Sequence, residues 1–460
     1  MTSHAEPVRL AAPLEFVERV LIAPREAGAL LVVTVPAPLA PLETLFEMAP
    51  QEDAILWDAP DAIGFAGIGA AVTVKGGGHA RFAEVEQRAD AVWPLLEERT
   101  LGDDAPPSRF FGGFSFEAGW ATTEPWASFG DARFVLPRLR YARLRDKAWL
   151  TLALRADSAP IGETLAELEA ALGALREAGA RAPARSALEP RALAGQAGMS
   201  EEEWRGLVEA IRARIASGDF EKVVAARRTS LSFLSPVDPK EVLTELAASQ
   251  PTCTRFAFRF DGVTFLGATP ERLVRRAGLS IDTEALAGSN RTGDAGRQEL
   301  LASSKDRAEH EPVLREIVKN LSPVCDALEY PDAPEVRTLR HVLHLRTPVR
   351  GRLKAPIHVL DLVERLHPTP AVGGTPTPEA RRFIVEHEPV ERGWYASPVG
   401  SFDASGNGEF AVALRSGTVD GTRAFLFAGG GIVQDSNPES EFAETRMKFA
   451  ALLAALRVVE

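Results

Sequence analysis

Residues 255–269 read RFAFRFDGVTFLGAT. Phe256, Phe258 and Phe260 alternate with Ala257 and Arg259, which is the period of an extended chain with one apolar face. Asp261-Gly262 then interrupts the pattern. This pair tolerates positive φ in a two-residue turn, so the segment predicts an antiparallel hairpin. The same device returns near the end as EFAVALRSGTV (409–419), Asp420-Gly421 and TRAFLFAG (422–429), and KVVAARRTSLSFL predicts a further strand opening at Lys222. Large antiparallel sheets follow from these segments.

Helices flank them. Ser200 followed by Glu203 makes a capping box, Trp204, Leu207, Ile211 and Ile215 line one helical face, and Gly218 stands where a C-terminal cap belongs. Periodicity predicts two long helices, Arg297 to Leu321 and Pro438 to Val458, and a shorter one over Val359 to Leu366. The class is therefore α+β, with helices covering antiparallel sheet. Earlier in the chain, AVTVKGGG, RFFGGFSFE and YARLRDKAWLTLALRA read as strands, with a helix around Ala89 to Arg99. A helix IGETLAELEAALGALREAGA then gives way to APARSALEPRALAGQAG, small residues with Pro and no apolar period. That stretch predicts a linker, dividing an N-terminal α+β region (1–197) from a catalytic part (198–460).

The formal net charge of -12 gives no electrostatic support for nucleic acid as a partner, so an anionic substrate must meet a local basic site. Cys253 and Cys325 are too few and too unpatterned for a disulfide framework or a zinc site. The opening MTSHAEPVRLAAPLEF lacks a basic start followed by an apolar run, and no stretch approaches the length of a membrane span. A reduced cytoplasmic location is expected, with no membrane partner.

Several residue groups could carry chemistry. Glu441, Glu444 and Lys448 fall on one face of the last helix, after a loop of three glycines whose exposed N-H groups suit an anion. Carboxylates one turn apart suit a hard cation such as magnesium; the same spacing also suits a solvated surface pair. Glu309 precedes Val313 and Ile317 by four and eight residues and so joins an apolar stripe, unless Pro312 kinks the helix and leaves it exposed. Lys222 shares a strand face with Val224 and Ala226. Burial there would lower its pKa toward a usable base, whereas many such lysines extend outward to water. Glu271 follows Pro270 at a strand end, where burial would keep it protonated as a general acid; alternatively it opens a helix. Arg415 is expected on a strand face with Ala411 and Ala413, small neighbours that leave room for a planar anion, or else on an edge strand in water. No HExxH, GxSxG or Walker segment occurs, so zinc hydrolysis, serine hydrolysis and P-loop phosphate transfer find no support.

Taken in order, SGDFEKVVAARR, FLGATPERL, ALAGSNRTG, LASSKDRAEHE, VLHLRTPVRG, LHPTPAVGGTP, EHEPVERGWYASPVG, GEFAVALRSG and FAGGGIVQDSNPESEFAETRMK resemble the chorismate-utilising enzymes. The resemblance covers nearly everything from residue 200 onward. It implies a layered chorismate-binding fold in which two large antiparallel sheets pack between helices and the N-terminal half belongs to the same body. It further implies Lys222 as base and Glu271 as acid, with Glu309 and Glu444 as magnesium carboxylates and Glu441 acting nearby through water. Arg415, Tyr395, Lys448 and the backbone of Gly429, Gly430 and Gly431 are implied as sites for the substrate's two carboxylates, and Gly288, Ser289 and His344 as pocket residues.

Within the family, a lysine at position 222 is similar to the water-using members, and Ala287 stands where aminodeoxychorismate synthases carry a nucleophilic lysine. Ala371 and Val372 look like the pyruvyl-facing pair of isochorismate synthases. The implied activity is magnesium-dependent, reversible conversion of chorismate to isochorismate, of the menaquinone-pathway type, without a glutaminase subunit and as a monomer or weak homodimer. A salicylate synthase, a siderophore-pathway isochorismate synthase, or an inactive chorismate-binding subunit or sensor are the alternatives.

Overall fold

The computed structural model describes residues 11–458, apart from 24, 25, 27, 156–159, 182–188 and 341. The hairpin forms as the sequence predicts. Strands Thr254–Phe260 and Val263–Thr269 pair from Phe260 opposite Val263, and the turn residues Asp261 and Gly262 take φ of 50° and 86°. Lys222–Phe233 is also a strand, antiparallel to Arg423–Ile432. The Ser200–Glu203 capping box is present at the start of helix Glu201–Ala216.

From the long strand Ala132–Leu144 two runs of strands diverge. One passes through Gly64–Gly76, Ala54–Asp58, the Thr254–Thr269 hairpin, Ser416–Asp420 and Arg423–Ile432 to Lys222–Phe233. The other passes through Arg109–Phe114, Pro398–Asp403, Gly408–Val412, Arg272–Ala277 and Ser280–Asn290 to Leu343–Leu353. These are the two expected antiparallel sheets, hydrogen-bonded to each other rather than separate. Leu30–Pro36 and Leu96–Thr100 form a parallel pair at one edge.

The period-two pattern explains the layers. Phe256, Phe258 and Phe265 turn inward with Trp394, Phe410 and Phe402 to fill the space between the runs. Ala257 and Leu266 turn outward with Leu426, under helices Ile161–Ala180, Pro239–Ser249 and Pro438–Ala455. Burying each such aromatic contributes on the order of 2 kcal/mol. Among the described residues no helix is long and apolar enough to cross a membrane.

Five local expectations change. The segment EFAVALRSGTV is two strands, Gly408–Val412 in one run and Ser416–Asp420 in the other, because the chain crosses between sheets at Ala413–Arg415. Asp420 pairs with Arg423, so the turn is Gly421-Thr422 rather than Asp420-Gly421. The helix expected around Ala89 to Arg99 is Arg81–Asp90, followed by strand Leu96–Thr100; Pro94, without an N-H, falls between them. The helix expected over Arg297 to Leu321 is two, Asp294–Ala302 and Ser304–Leu321, the second capped by Ser303 and running through Pro312. Finally, Leu193–Gly198 in the expected linker is a strand on Thr229–Phe233, while residues 182–188 of that linker lie outside the described residues.

Candidate active site

The first hairpin's second strand ends at Thr269, and the chain passes through Pro270-Glu271 into Arg272–Ala277 of the other sheet. The Ala413–Arg415 crossing runs beside it, with Val412 N donating to Glu271 O at 3.0 Å. Two adjacent crossings leave a gap between the sheets. Lys222, Glu271, Gly288, Ser289, Glu309, His344, Ala371, Tyr395, Arg415, Gly429, Gly431, Glu444 and Lys448 line the cavity that results. Ala287, without a side-chain nucleophile, lines it as well.

Lys222 is 7% exposed and shares its face with Val224 and Ala226, so it does not extend to water. Its side chain crosses the neighbouring strand at Gly431. A Cβ there would stand 2.6 Å from Lys222 Cε and 3.1 Å from Nζ, so only glycine leaves the amine its place. Burial holds the amine's pKa below the usual lysine range; the Lys448 charge adds to this, while Glu309, Glu444 and Glu441 oppose it.

Glu271 opens no helix; it sits at the sheet crossing and is 5% exposed. Burial, reinforced by the Glu284 carboxylate, pushes its carboxyl up to about 8, so it is protonated at neutral pH. The cavity therefore contains an amine with a lowered pKa and a neutral carboxylic acid, groups suited to general base and general acid catalysis.

A register shift at Gly288, whose φ is 74°, separates Ala287 from Ser289 in the pairing with Leu343–Leu353. The irregularity gathers three polar groups. His344 Nδ1 lies 3.0 Å from Ser289 Oγ and 3.1 Å from Gly288 O. Burial, then the Arg415 charge, lowers His344 to about 3, so it is a neutral imidazole. Arg415 holds φ of 52° at the break between strands instead of lying on a strand face, and this aims its guanidinium into the cavity. Burial pushes the Tyr395 phenol up to about 12, which keeps its hydroxyl a donor beside Gly429.

The helices supply the remaining charges. Ser304–Leu321 brings Glu309 and Pro438–Ala455 brings Glu444 and Lys448, whose Nζ lies 2.7 Å from Glu444 Oε1 and donates to Gly429 O at 2.7 Å. Glu441 and Gly430 stand beside the cavity and not in its lining. Strand alternation turns Gly430 to the face opposite Gly429 and Gly431, where a Cβ would lie 3.3 Å from Glu441 Oε2. Glu441 is buried and accepts from Ser436 Oγ at 2.8 Å. Among the described residues, no three His, Cys, Asp or Glu side chains are grouped so as to hold a metal ion by themselves.

Arg392 also lines the cavity, and sequence reasoning did not single it out. Its Nη groups donate to Val372 O (2.8 Å) and Val224 O (2.6 Å) and its Nε to Glu388 Oε2 (2.7 Å), while Glu388 Oε1 accepts from Ala226 N (2.9 Å). This buried ion pair ties the Ala371-Val372 loop to the Lys222 strand. Its only trace in the sequence is Glu388 and Arg392 four apart across Pro389, a spacing without meaning outside a helix.

A family profile described as "Chorismate binding enzyme" matches residues 16–457. The salicylate biosynthesis isochorismate synthase of Pseudomonas aeruginosa is 38% identical over 420 residues, which cover 89% of this chain and 86% of that protein. Isochorismate synthase MenF of Bacillus subtilis is 36% identical over 383 residues, covering 82% of this chain and 80% of the relative. The structure of MenF, the menaquinone-specific isochorismate synthase from Escherichia coli, superposes with a TM-score of 0.79 at 28% identity, covering 97% of this chain and 99% of that one. The chain thus belongs to the family of chorismate-binding enzymes.

Proposed function

We propose that the protein is an isochorismate synthase, an isomerase that adds water at C2 of chorismate and releases the C4 hydroxyl. The observation that carries this is the pairing, in one cavity, of the buried amine of Lys222 with the carboxyl of Glu271 raised to about 8. Neutral Lys222 takes a proton from the attacking water, and Glu271 gives its proton to the departing hydroxyl, so no net proton is consumed. Arg415 and Lys448 attract the dianionic substrate, with the Tyr395 hydroxyl as a further donor to its carboxylates. Ala287 offers no amine for covalent capture of the ring, which supports water as the nucleophile.

Magnesium is the proposed cofactor. Glu309 and Glu444, hard oxygen donors from two separate helices, both line the cavity, and magnesium commonly takes one or two protein carboxylates while keeping water and substrate oxygens as its other ligands. The residues present fit that pattern, with Glu441 assisting through water. When bound, the ion offsets the charge of the ring carboxylate. Residues 1–197 and 198–460 are inferred to act as one body, because strands on either side of residue 197 pair: Ala54–Asp58 with Thr254–Phe260, and Arg109–Phe114 with Pro398–Asp403.

Menaquinone biosynthesis in the cytoplasm, by a monomer or weak homodimer without a glutaminase subunit, is the proposed setting. The salicylate-biosynthesis relative favours a second setting for the same reaction. Incubation with chorismate and magnesium, followed by chromatography, is expected to yield isochorismate without pyruvate. Pyruvate and salicylate as products would instead establish a salicylate synthase, and magnesium-dependent binding without turnover would establish an inactive subunit. Restoration of menaquinone in a strain lacking its isochorismate synthase separates the two settings.

A further inference from the structure

Arg227 follows Ala226 on the Lys222 strand and therefore points to the face away from the active site. It is 5% exposed. Its Nε donates to Thr445 Oγ1 at 2.7 Å, and its guanidinium carbon packs 4.1 Å from the Phe442 ring centroid and 4.8 Å from that of Phe449. Among the described residues, its two Nη groups have no hydrogen-bond partner and no carboxylate forms an ion pair with it. The other buried arginines differ. Arg81, Arg133, Arg140, Arg255, Arg259, Arg276 and Arg392 each place an Nη group on a carbonyl or a carboxylate.

The Arg227 side chain opens instead into a cavity of about 960 Å³ under the last helix, whose walls include Arg446, Met447, Ala450 and Leu453. Arg446 brings a second positive charge. Burial, then the Arg446 charge, lowers the Arg227 pKa to about 10, with the Glu201 carboxylate opposing, so Arg227 remains a cation at neutral pH. Among the described residues, the one carboxylate paired with Arg446 is Glu201, 3.3 Å away and well exposed at the rim. A buried cation without an ion-pair partner of its own is costly, and the second positive charge that exposed Arg446 places at the rim adds to the cost. An anionic ligand offsets both.

We propose that this cavity binds a small carboxylate with an apolar body, separately from the catalytic site. The two Nη groups of one planar guanidinium match the two oxygens of a carboxylate, with Arg446 closing from the rim. Met447, Phe449 and Leu453 receive the hydrocarbon part. The ligand lies behind the same strand and helix that present Lys222, Glu444 and Lys448 to the active site.

The test is calorimetric titration of the full chain with benzoate. Saturable binding is expected in the wild type and in Arg415→Gln, with at least tenfold weaker binding in Arg227→Gln and no measurable binding of benzyl alcohol. Ala450→Trp, a change on an exposed wall position one helical turn from Arg446, puts an indole into the cavity without disturbing the core and must also weaken binding at least tenfold. It decides the matter even if Arg227→Gln fails to fold. Absence of a saturable site in the wild type, a site lost in Arg415→Gln, or one that Ala450→Trp leaves unweakened would each overturn the proposal. Inorganic phosphate binding as tightly as benzoate would overturn the assignment of an apolar body.

Discussion

Replacing Glu271 by Gln keeps the outline of the side chain and removes its titration. In the folded protein the carboxyl is raised from 4.5 to about 8, mainly by burial. An unfolded chain ionises this group freely above 4.5. Each pH unit between that value and the working pH penalises the folded state by about 1.4 kcal/mol, so at pH 7 holding the proton costs about 3 kcal/mol. The sign follows from the direction of the shift. With a folded-state value above the unfolded one, the wild type keeps its full stability from this group below pH 4.5 and loses it progressively toward pH 8.

Gln escapes this loss, though its amide needs acceptors of its own, which reduces the gain by about 1 kcal/mol. Urea unfolding of both proteins at pH 5, 6, 7 and 8 should therefore show the Gln variant gaining on the wild type at each step, by roughly 1–3 kcal/mol at pH 7. Isochorismate formation should fall by about a hundredfold or more, because an amide cannot deliver the proton. The variant would be the more stable protein and the poorer enzyme. A stability difference that stays constant from pH 5 to pH 8 would refute the claim that Glu271 is buried in its acid form.

Lys222→Ala should reduce turnover by about 10²–10⁴ while chorismate binding, measured by calorimetry, stays within a few-fold of the wild type. Gly431→Ala brings a methyl group to 2.6 Å from Lys222 Cε. Since that atom belongs to a flexible side chain, the fold should survive and the amine should shift; kcat should drop with little change in melting temperature. Glu444→Gln removes one of the two carboxylates that line the cavity and should raise the magnesium concentration needed for half-maximal rate. An unchanged magnesium titration would count against Glu444 as a ligand.

Much of this was legible in the sequence because strands announce themselves locally. Phe256, Phe258 and Phe260 alternate, Asp261-Gly262 turns, and the hairpin follows from five residues. The inward face of Lys222 was equally readable from Val224 and Ala226. What local pattern could not supply was where the chain leaves one sheet for the other. EFAVALRSGTV carries an unbroken alternation, yet the structure breaks it at Arg415, because Val412 must pair with Pro398 and Gly417 with Leu426 in different runs. Alternation records which residues are buried, and a residue buried between two sheets gives the same signal in either.

The same two crossings account for the site's chemistry. On a continuous strand, Glu271 and Arg415 would each be flanked by ladder partners and would project into a packed layer. At a crossing the backbone leaves its ladder: Arg415 takes a φ of 52°, and Glu271 is held by Val412 N on its own carbonyl rather than by a strand partner on both sides. The gap between the sheets remains lined by buried surface, part polar and part apolar, that shuts out most water. That surface raises the carboxyl of Glu271 toward 8 and lowers the amine of Lys222. A single rearrangement would separate the two effects. If the Glu388–Arg392 pair that fixes the Ala371-Val372 loop to the Lys222 strand were broken by Glu388→Gln, water should gain access to Lys222 and its pKa should return toward the ordinary lysine range, moving the alkaline rise of the pH–rate profile upward, while Glu271, anchored on the opposite crossing, should keep its own value.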